Sequence, residues 1–317
     1  SSRTIALVAK LPFLVFFKNG KFEQLTHPPM SRQTVFGISK GIGILSFDNF
    51  HLRLLRVFRE VFLHERVIKD RFWPGLMHAL VFWGFMVFGI VTINHFAIGF
   101  NHPILSPKTN HLYSLIAMPF SFLVLMGISY LAWRRFMIKP KALGKLSPTS
   151  ALVSFFIMLL MATYMLGEFH SLEKIHLENT AWKINWWIHS FLILSFLFLI
   201  PRSKHLHLVL GPFNIFFKSF NNANHEPVKI DMEATEEELD GMLSDLNKMT
   251  KKQVMDVFSC VECGRCMDAC PANRGGGILN PKFHFMLDFR DELLKTEKID
   301  LLSDINVERF KYIDPEL

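Results

Sequence analysis

The sequence predicts an all-α membrane protein: a bundle of four transmembrane helices, five if a short N-terminal stretch completes one, followed by a small α-helical domain outside the bilayer. Three observations predict it. Half of the 317 residues are hydrophobic, Phe alone supplies 33, and mean hydropathy is +0.25, which is more large apolar surface than a water-soluble chain of this length needs. The apolar residues fill positions 72–217 and thin out sharply after Asn221. All four cysteines lie between Cys260 and Cys270, inside the polar remainder. The chain therefore divides into a cytoplasmic or interfacial segment (1–71), a transmembrane part (72–220) and a cysteine-bearing part (221–317).

A spanning helix needs about 20 apolar residues. Residues 72–100, 111–133, 148–167 and 184–201 meet or approach that length, and none has Lys, Arg or Glu inside it. Four such runs in succession exclude buried helices of a soluble bundle. Residues 4–17 are apolar but short and broken by Lys10. They suit an interfacial helix or the end of a further span. The net charge of +7 sits mainly in the connections. Arg53, Arg56, Arg59, Arg66, Lys69 and Arg71 precede the first run; Arg134, Arg135, Lys139, Lys141 and Lys145 follow the second; Arg202 and Lys204 follow the fourth. The other two loops are poorer in cations. By the positive-inside rule the basic loops face the cytoplasm, as does everything after Arg202. That use of the charge argues against a nucleic-acid partner.

Ionisable side chains at membrane depth are costly, so the histidines there are candidates for function. His78 lies in the first run and His189 in the fourth, with His205 and His207 just beyond it. His189 and His207 are 18 positions apart, about 27 Å and five turns of helix, so they share a face. His78 and His95 are 17 apart, roughly 25 Å, on an antiparallel helix. Imidazole is a common axial ligand to haem iron. The spacing permits two stacked sites, His78 with His207 and His95 with His189. His95, His102, His111, His170 and His176 lie near the outer interface, where a solvated histidine is the simpler reading.

After a polar stretch at 221–228, Thr235 and Glu238 read as the start of a helix. A second helix is expected near Lys251. Then Cys260, Cys263, Cys266, Cys270 and Pro271 form a C-x2-C-x2-C-x3-C-P run, the spacing of bacterial ferredoxins. Structural zinc sites use two separated C-x2-C pairs, so this compact run points to iron–sulfur and the domain to a ferredoxin type. No cysteine remains for a disulfide framework. In two-cluster ferredoxins the fourth cysteine serves the other cluster. With no fifth cysteine, either all four hold one 4Fe–4S cluster or the natural chain continues past Leu317 with a second run. Continuation is the expectation.

The residues 260–273, with Leu279-Asn280-Pro281-Lys282 and Leu287-Asp288-Phe289-Arg290, resemble the membrane-bound heterodisulfide-reductase-like iron–sulfur proteins. That group includes proteins linking electron transfer flavoprotein to menaquinone. The stretch from Gly75 through His78 to Gly84 and Phe85 looks like the group's first haem-binding span in a nitrate-reductase-gamma-like haem b domain. Trp186, Trp187 and His189 look like its outer ligand region, and Pro201 to His207 like the closing end. By this resemblance His78, His189 and His207 carry haem b. The gamma pattern has a second histidine ten residues along one span, and here Phe88 stands there, so a second haem needs His95 or another outer histidine.

The resemblance implies a quinone-linked oxidoreductase of the cytoplasmic membrane of a bacterium or archaeon. One or two haem b and one or two 4Fe–4S clusters would pass electrons between menaquinone and electron transfer flavoprotein or another cytoplasmic redox protein. Quinone chemistry also moves protons, for which Glu168, His170, His176 or His205 are available. The rival readings are a non-catalytic haem and iron–sulfur anchor of a larger respiratory complex, and a zinc-stabilised adaptor without redox chemistry.

Overall fold

The computed structural model describes residues 15–18, 21–24, 38, 45–144, 146–171, 175, 178–220, 250–276, 280–287 and 290. The chain forms two compact units, residues 46–218 and residues 1–45 with 219–317.

In the first unit, helix α1 (Phe50–Val57) runs through a π-helical turn (Phe58–Phe62) into α2 (Glu65–Asp70). Four long helices follow: α3 (Phe72–Gly99), α4 (Pro107–Trp133), α5 (Pro148–Ser171) and α6 (Asn179–Leu199). With the turns that extend α4 to Ile138 and α6 to Arg202, these are four helices long and apolar enough to cross a membrane. They coincide with the four expected runs. Polar signals set their ends. Ser106 caps α4 by accepting from the Thr109 amide, with Pro107 in the first turn. Helix α7 (His207–Phe216) closes the unit. Arginines hold the carbonyls at and just past its end: Arg53 Nη1 donates to the Phe216 oxygen at 2.8 Å, and Arg56 Nη1 to the Lys218 oxygen at 2.7 Å. Cations suit the negative end of a helix.

Each long helix packs on the next in sequence. Apolar burial cannot drive this association within lipid, so close approach and polar contacts must. Gly127 lets α4 meet α3 so closely that a Cβ there would lie 2.7 Å from the Met77 carbonyl oxygen. Asn94, only 1% exposed, ties the α3–α4 connection. Its Oδ1 accepts from the amides of Ile104 (3.2 Å) and Leu105 (2.9 Å), and its Nδ2 donates to Asn110 Oδ1 (3.0 Å).

The second unit contains an antiparallel pair of strands, β1 (Val15–Lys18) and β2 (Lys21–Gln24). The end of the apolar stretch 4–17, expected to be helical, is therefore strand at 15–17. β-branched Val15 and aromatic Phe16 and Phe17 suit a pleated strand. The remainder, 4–14, lies outside the described residues, as do the polar stretch 221–228 and the helix expected from Thr235. Helix α8 (Lys251–Phe258) starts where expected, because Thr250 and Gln253 form a reciprocal capping box. The cysteine segment follows with α9 (Arg265–Ala269) and a turn of helix at Pro271–Arg274.

Candidate functional site

Where α3 begins, four histidines gather. His78 stands on α3, His207 on the first turn of α7, and their ring centroids are 6.4 Å apart. Two imidazoles that each place a nitrogen about 2 Å from a shared metal have centroids roughly 6 Å apart, so this spacing fits a bis-imidazole site. His205 lies 6.0 Å from His207, ring to ring. The fourth member is His64, from the turn between α1 and α2. Its Nε2 is 3.1 Å from His78 Nδ1.

Hydrogen-bond partners indicate which ring nitrogen each candidate ligand has free. His207 Nδ1 lies 2.9 Å from the Lys204 carbonyl, which can only accept, so Nδ1 carries the proton and Nε2 keeps its lone pair. His189, on α6, has Nδ1 2.8 Å from Thr163 Oγ1 of α5. The Thr163 hydroxyl directs its one proton to the Leu159 (2.8 Å) or Leu160 (3.1 Å) carbonyl. Toward His189 it can only accept, and again Nε2 is left. Asn185 braces the arrangement by donating to the Thr163 carbonyl at 3.1 Å. His78 has Nδ1 committed to His64. A metal-binding histidine commonly has its second nitrogen held in this way, so all three side chains fit an iron ligand through Nε2.

His95 is less well placed. It is exposed, and among the described residues neither a hydrogen bond nor a ring contact joins it to His189. Phe88, ten positions beyond His78, packs edge-on against Tyr164 at 4.9 Å between centroids. Tyr164 lies 6.5 Å from His189, ring to ring. Glu168 is one turn from Tyr164 and within electrostatic reach of His111. His170 stacks near Trp182 at 5.0 Å. His102 and His111 are exposed, and His176 lies outside the described residues.

Sequence reasoning missed His64. It lies in the arginine-rich segment before the first span, so a search for histidines at membrane depth passes it by. Yet it is 5% exposed. Burial holds it below the ordinary imidazole range, against the pull of the Phe62 and Val61 carbonyls. Burial acts on His207 in the same direction. Both are neutral near pH 7, the form that can ligate a metal.

In the second unit the cysteines occupy a loop with two left-handed residues, Glu262 (φ 60°) and Gly264 (φ 74°). Glycine takes this conformation freely, and Gly264 turns the chain into α9. Among the described residues no three of His, Cys, Asp or Glu converge as a preformed metal site. Assignment of Cys260, Cys263, Cys266 and Cys270 rests on their spacing and thiolate chemistry. Burial pushes the Cys260 and Cys266 thiols up, and the neighbouring Cys263 adds to both. Arg290 opposes this at Cys260 and Lys282 at Cys266. Both cations are buried, and Arg290 pairs with Glu262 at 2.8 Å. Such cations suit a site where several thiolates meet.

Over 285 residues, 80% of this chain, the sequence is 31% identical to the "Probable iron-sulfur-binding oxidoreductase FadF" of Bacillus subtilis. It is 26% identical, again over 285 residues, to the "EtfAB:quinone oxidoreductase" of Syntrophomonas wolfei, with 78% of the chain aligned. The chain spans 38% of the length of each of these relatives. No protein-family model and no solved structure matches it.

Proposed function

We propose that this chain is the membrane electron-transfer part of a quinone-linked oxidoreductase. It would carry electrons between menaquinone and electron transfer flavoprotein, or another cytoplasmic redox protein. The observation that carries the reading is the pairing of His78 with His207, both with Nδ1 committed and Nε2 left for iron. The names of the two relatives, one an iron–sulfur oxidoreductase and one a quinone oxidoreductase acting with EtfAB, support the same chemistry.

His78 and His207 would hold one haem b, and His189 with His95 a second. Cys260, Cys263, Cys266 and Cys270 would hold or share 4Fe–4S clusters in a ferredoxin-type domain. Haem b and iron–sulfur clusters supply one-electron carriers, so the chain's own task is to hold ligands, exclude water and set potentials. His207 is oriented by the Lys204 carbonyl and His189 by Thr163. Protons exchanged with quinone need a separate group, and half-buried Glu168, between Tyr164 and the end of the span, is suitably placed. The lysine and arginine pattern puts residues 203–317 on the cytoplasmic side.

The test is a visible spectrum of the purified protein, oxidised and dithionite-reduced, with haem and non-haem iron quantified per chain. The expected result is a haem b spectrum that loses one haem per chain in both His78→Ala and His207→Ala, with the haem at His189 and the non-haem iron retained. Non-haem iron without haem would refute the histidine assignments and leave an iron–sulfur anchor. Zinc without iron would refute the redox reading altogether.

A further inference from the structure

We propose that His64 is a positioning residue: its imidazole accepts a hydrogen bond from His78 Nδ1 and so fixes the ring plane, tautomer and basicity of His78 as an iron ligand. The proposal rests on the reading of His78 as a haem ligand, and goes beyond it in naming what aims that ligand.

The turn that carries His64 is built to deliver the side chain inward. Its backbone is left-handed (φ 52°, ψ 25°), a conformation uncommon outside glycine and costly to hold. The turn leaves Phe62 and Leu63 41% and 48% exposed while the polar imidazole between α1 and α2 is buried. Three contacts fix it against α3. Trp83 Nε1 donates to the Phe62 carbonyl at 2.7 Å. The Phe82 ring lies 4.8 Å from the His64 ring. Gly75 lets α2 approach so closely that a Cβ there would stand 2.6 Å from the Val67 carbonyl oxygen. The residue two positions before Phe72, where α3 enters its apolar run, already belongs to a separate helix, so His64 reaches His78 from outside the span.

The proton positions along the line follow from the ligand assignment. If His78 gives Nε2 to iron, its proton is on Nδ1. His64 Nε2 must then accept, which leaves the His64 proton on Nδ1, a buried nitrogen that has no hydrogen-bond partner among the described residues. No titration is required; both rings stay neutral throughout. The three candidate ligands thus have three different acceptors: an imidazole for His78, a main-chain carbonyl for His207 and a hydroxyl for His189. Acceptors of different strength give ligands of different basicity, and basicity sets how strongly ferric iron is preferred over ferrous.

The experiment compares the full chain with His64→Leu, which fills the space but accepts nothing, and His64→Gln, whose amide oxygen can accept. The readouts are haem per chain and the midpoint potential of the haem. Partners of this kind alter metal affinity roughly 10- to 100-fold. A tenfold loss of ferric preference corresponds to about 59 mV upward for a one-electron couple. His64→Leu should show reduced haem occupancy or a potential raised on that scale, and His64→Gln should recover most of either change. An unaltered haem content and potential in His64→Leu would overturn the proposal. Equal loss in both variants would also overturn it, because an acceptor at position 64 would then make no difference. Absence of haem from the unsubstituted protein would refute the ligand reading itself, and is distinguishable from both.

Discussion

Thr163→Val isolates one hydrogen bond at the second histidine site. The replacement has nearly the same shape, so packing between α5 and α6 is kept, and the bond from Asn185 survives because it goes to the main-chain carbonyl. What disappears is the Oγ1 that accepts from His189 Nδ1 at 2.8 Å. The hydroxyl's own bonds to Leu159 and Leu160 are of little consequence, since helix carbonyls there already have amide partners. A buried donor left without an acceptor costs about 1–3 kcal/mol in water-soluble proteins. Bonds between membrane helices average only about 0.6 kcal/mol, with a maximum near about 1.7. His189 is partly covered, so a loss of about 1–1.5 kcal/mol is expected, close to tenfold in affinity. Transfer of haem from the detergent-purified protein to excess apomyoglobin measures it. One kinetic phase should quicken about tenfold in Thr163→Val, and Thr163→Ser should behave like the original. If Thr163→Val releases haem at the original rate, or Thr163→Ser releases it as fast as Thr163→Val, the orienting bond is not what holds His189.

Asn94→Leu removes the acceptor for two amides; the Ile104 amide lies beside a 64% exposed side chain and can turn to water, so the loss should be about 1–2 kcal/mol, read as a lowered melting midpoint in detergent with haem content unchanged. An unchanged midpoint would mean that the α3–α4 connection is held by something else. Glu65 is held down to about 2 by hydrogen bonds from Arg59 and Lys69. A folded value below the usual 4.5 contributes stability above about pH 4.5 that is lost as pH falls toward 2, so hydrogen exchange in α2 should quicken over that window, and Glu65→Gln should abolish the dependence. Arg290→Ala leaves Glu262 without its 2.8 Å partner beside the cysteine loop; removing one member of a buried pair costs about 3 kcal/mol or more, so iron should be lost to chelators much faster than from the original protein. Equal chelation rates would show that Arg290 does not support the loop.

The fold was largely legible because the bilayer imposes a length and a composition that local sequence must satisfy. The runs at 72–100 and 148–167 read directly as helices, and the capping residues Ser106 and Thr250 mark starts that depend only on adjacent side chains. The strand at Val15–Lys18 was not legible, because a short apolar stretch fits an interfacial helix as well as a hairpin arm, and pairing with Lys21–Gln24 decides between them.

The sequence by itself determined the chemistry on offer: the C-x2-C-x2-C-x3-C-P run, whose ligands lie within eleven residues. The expected common helix face of His189 and His207 does not hold, because α6 ends at Leu199, Ser203 is extended and His207 opens the separate helix α7. The tertiary structure alone decided which groups meet. His64 and His78 are fourteen positions apart, in segments of opposite polarity, and they come together because α2 folds back on α3 at Gly75. The protons on His207 and His189 were likewise beyond the sequence, since they are fixed by the Lys204 carbonyl and the Thr163 hydroxyl. Spacing along a helix is a local property, whereas a hydrogen-bond partner across helices exists only once the chain has packed.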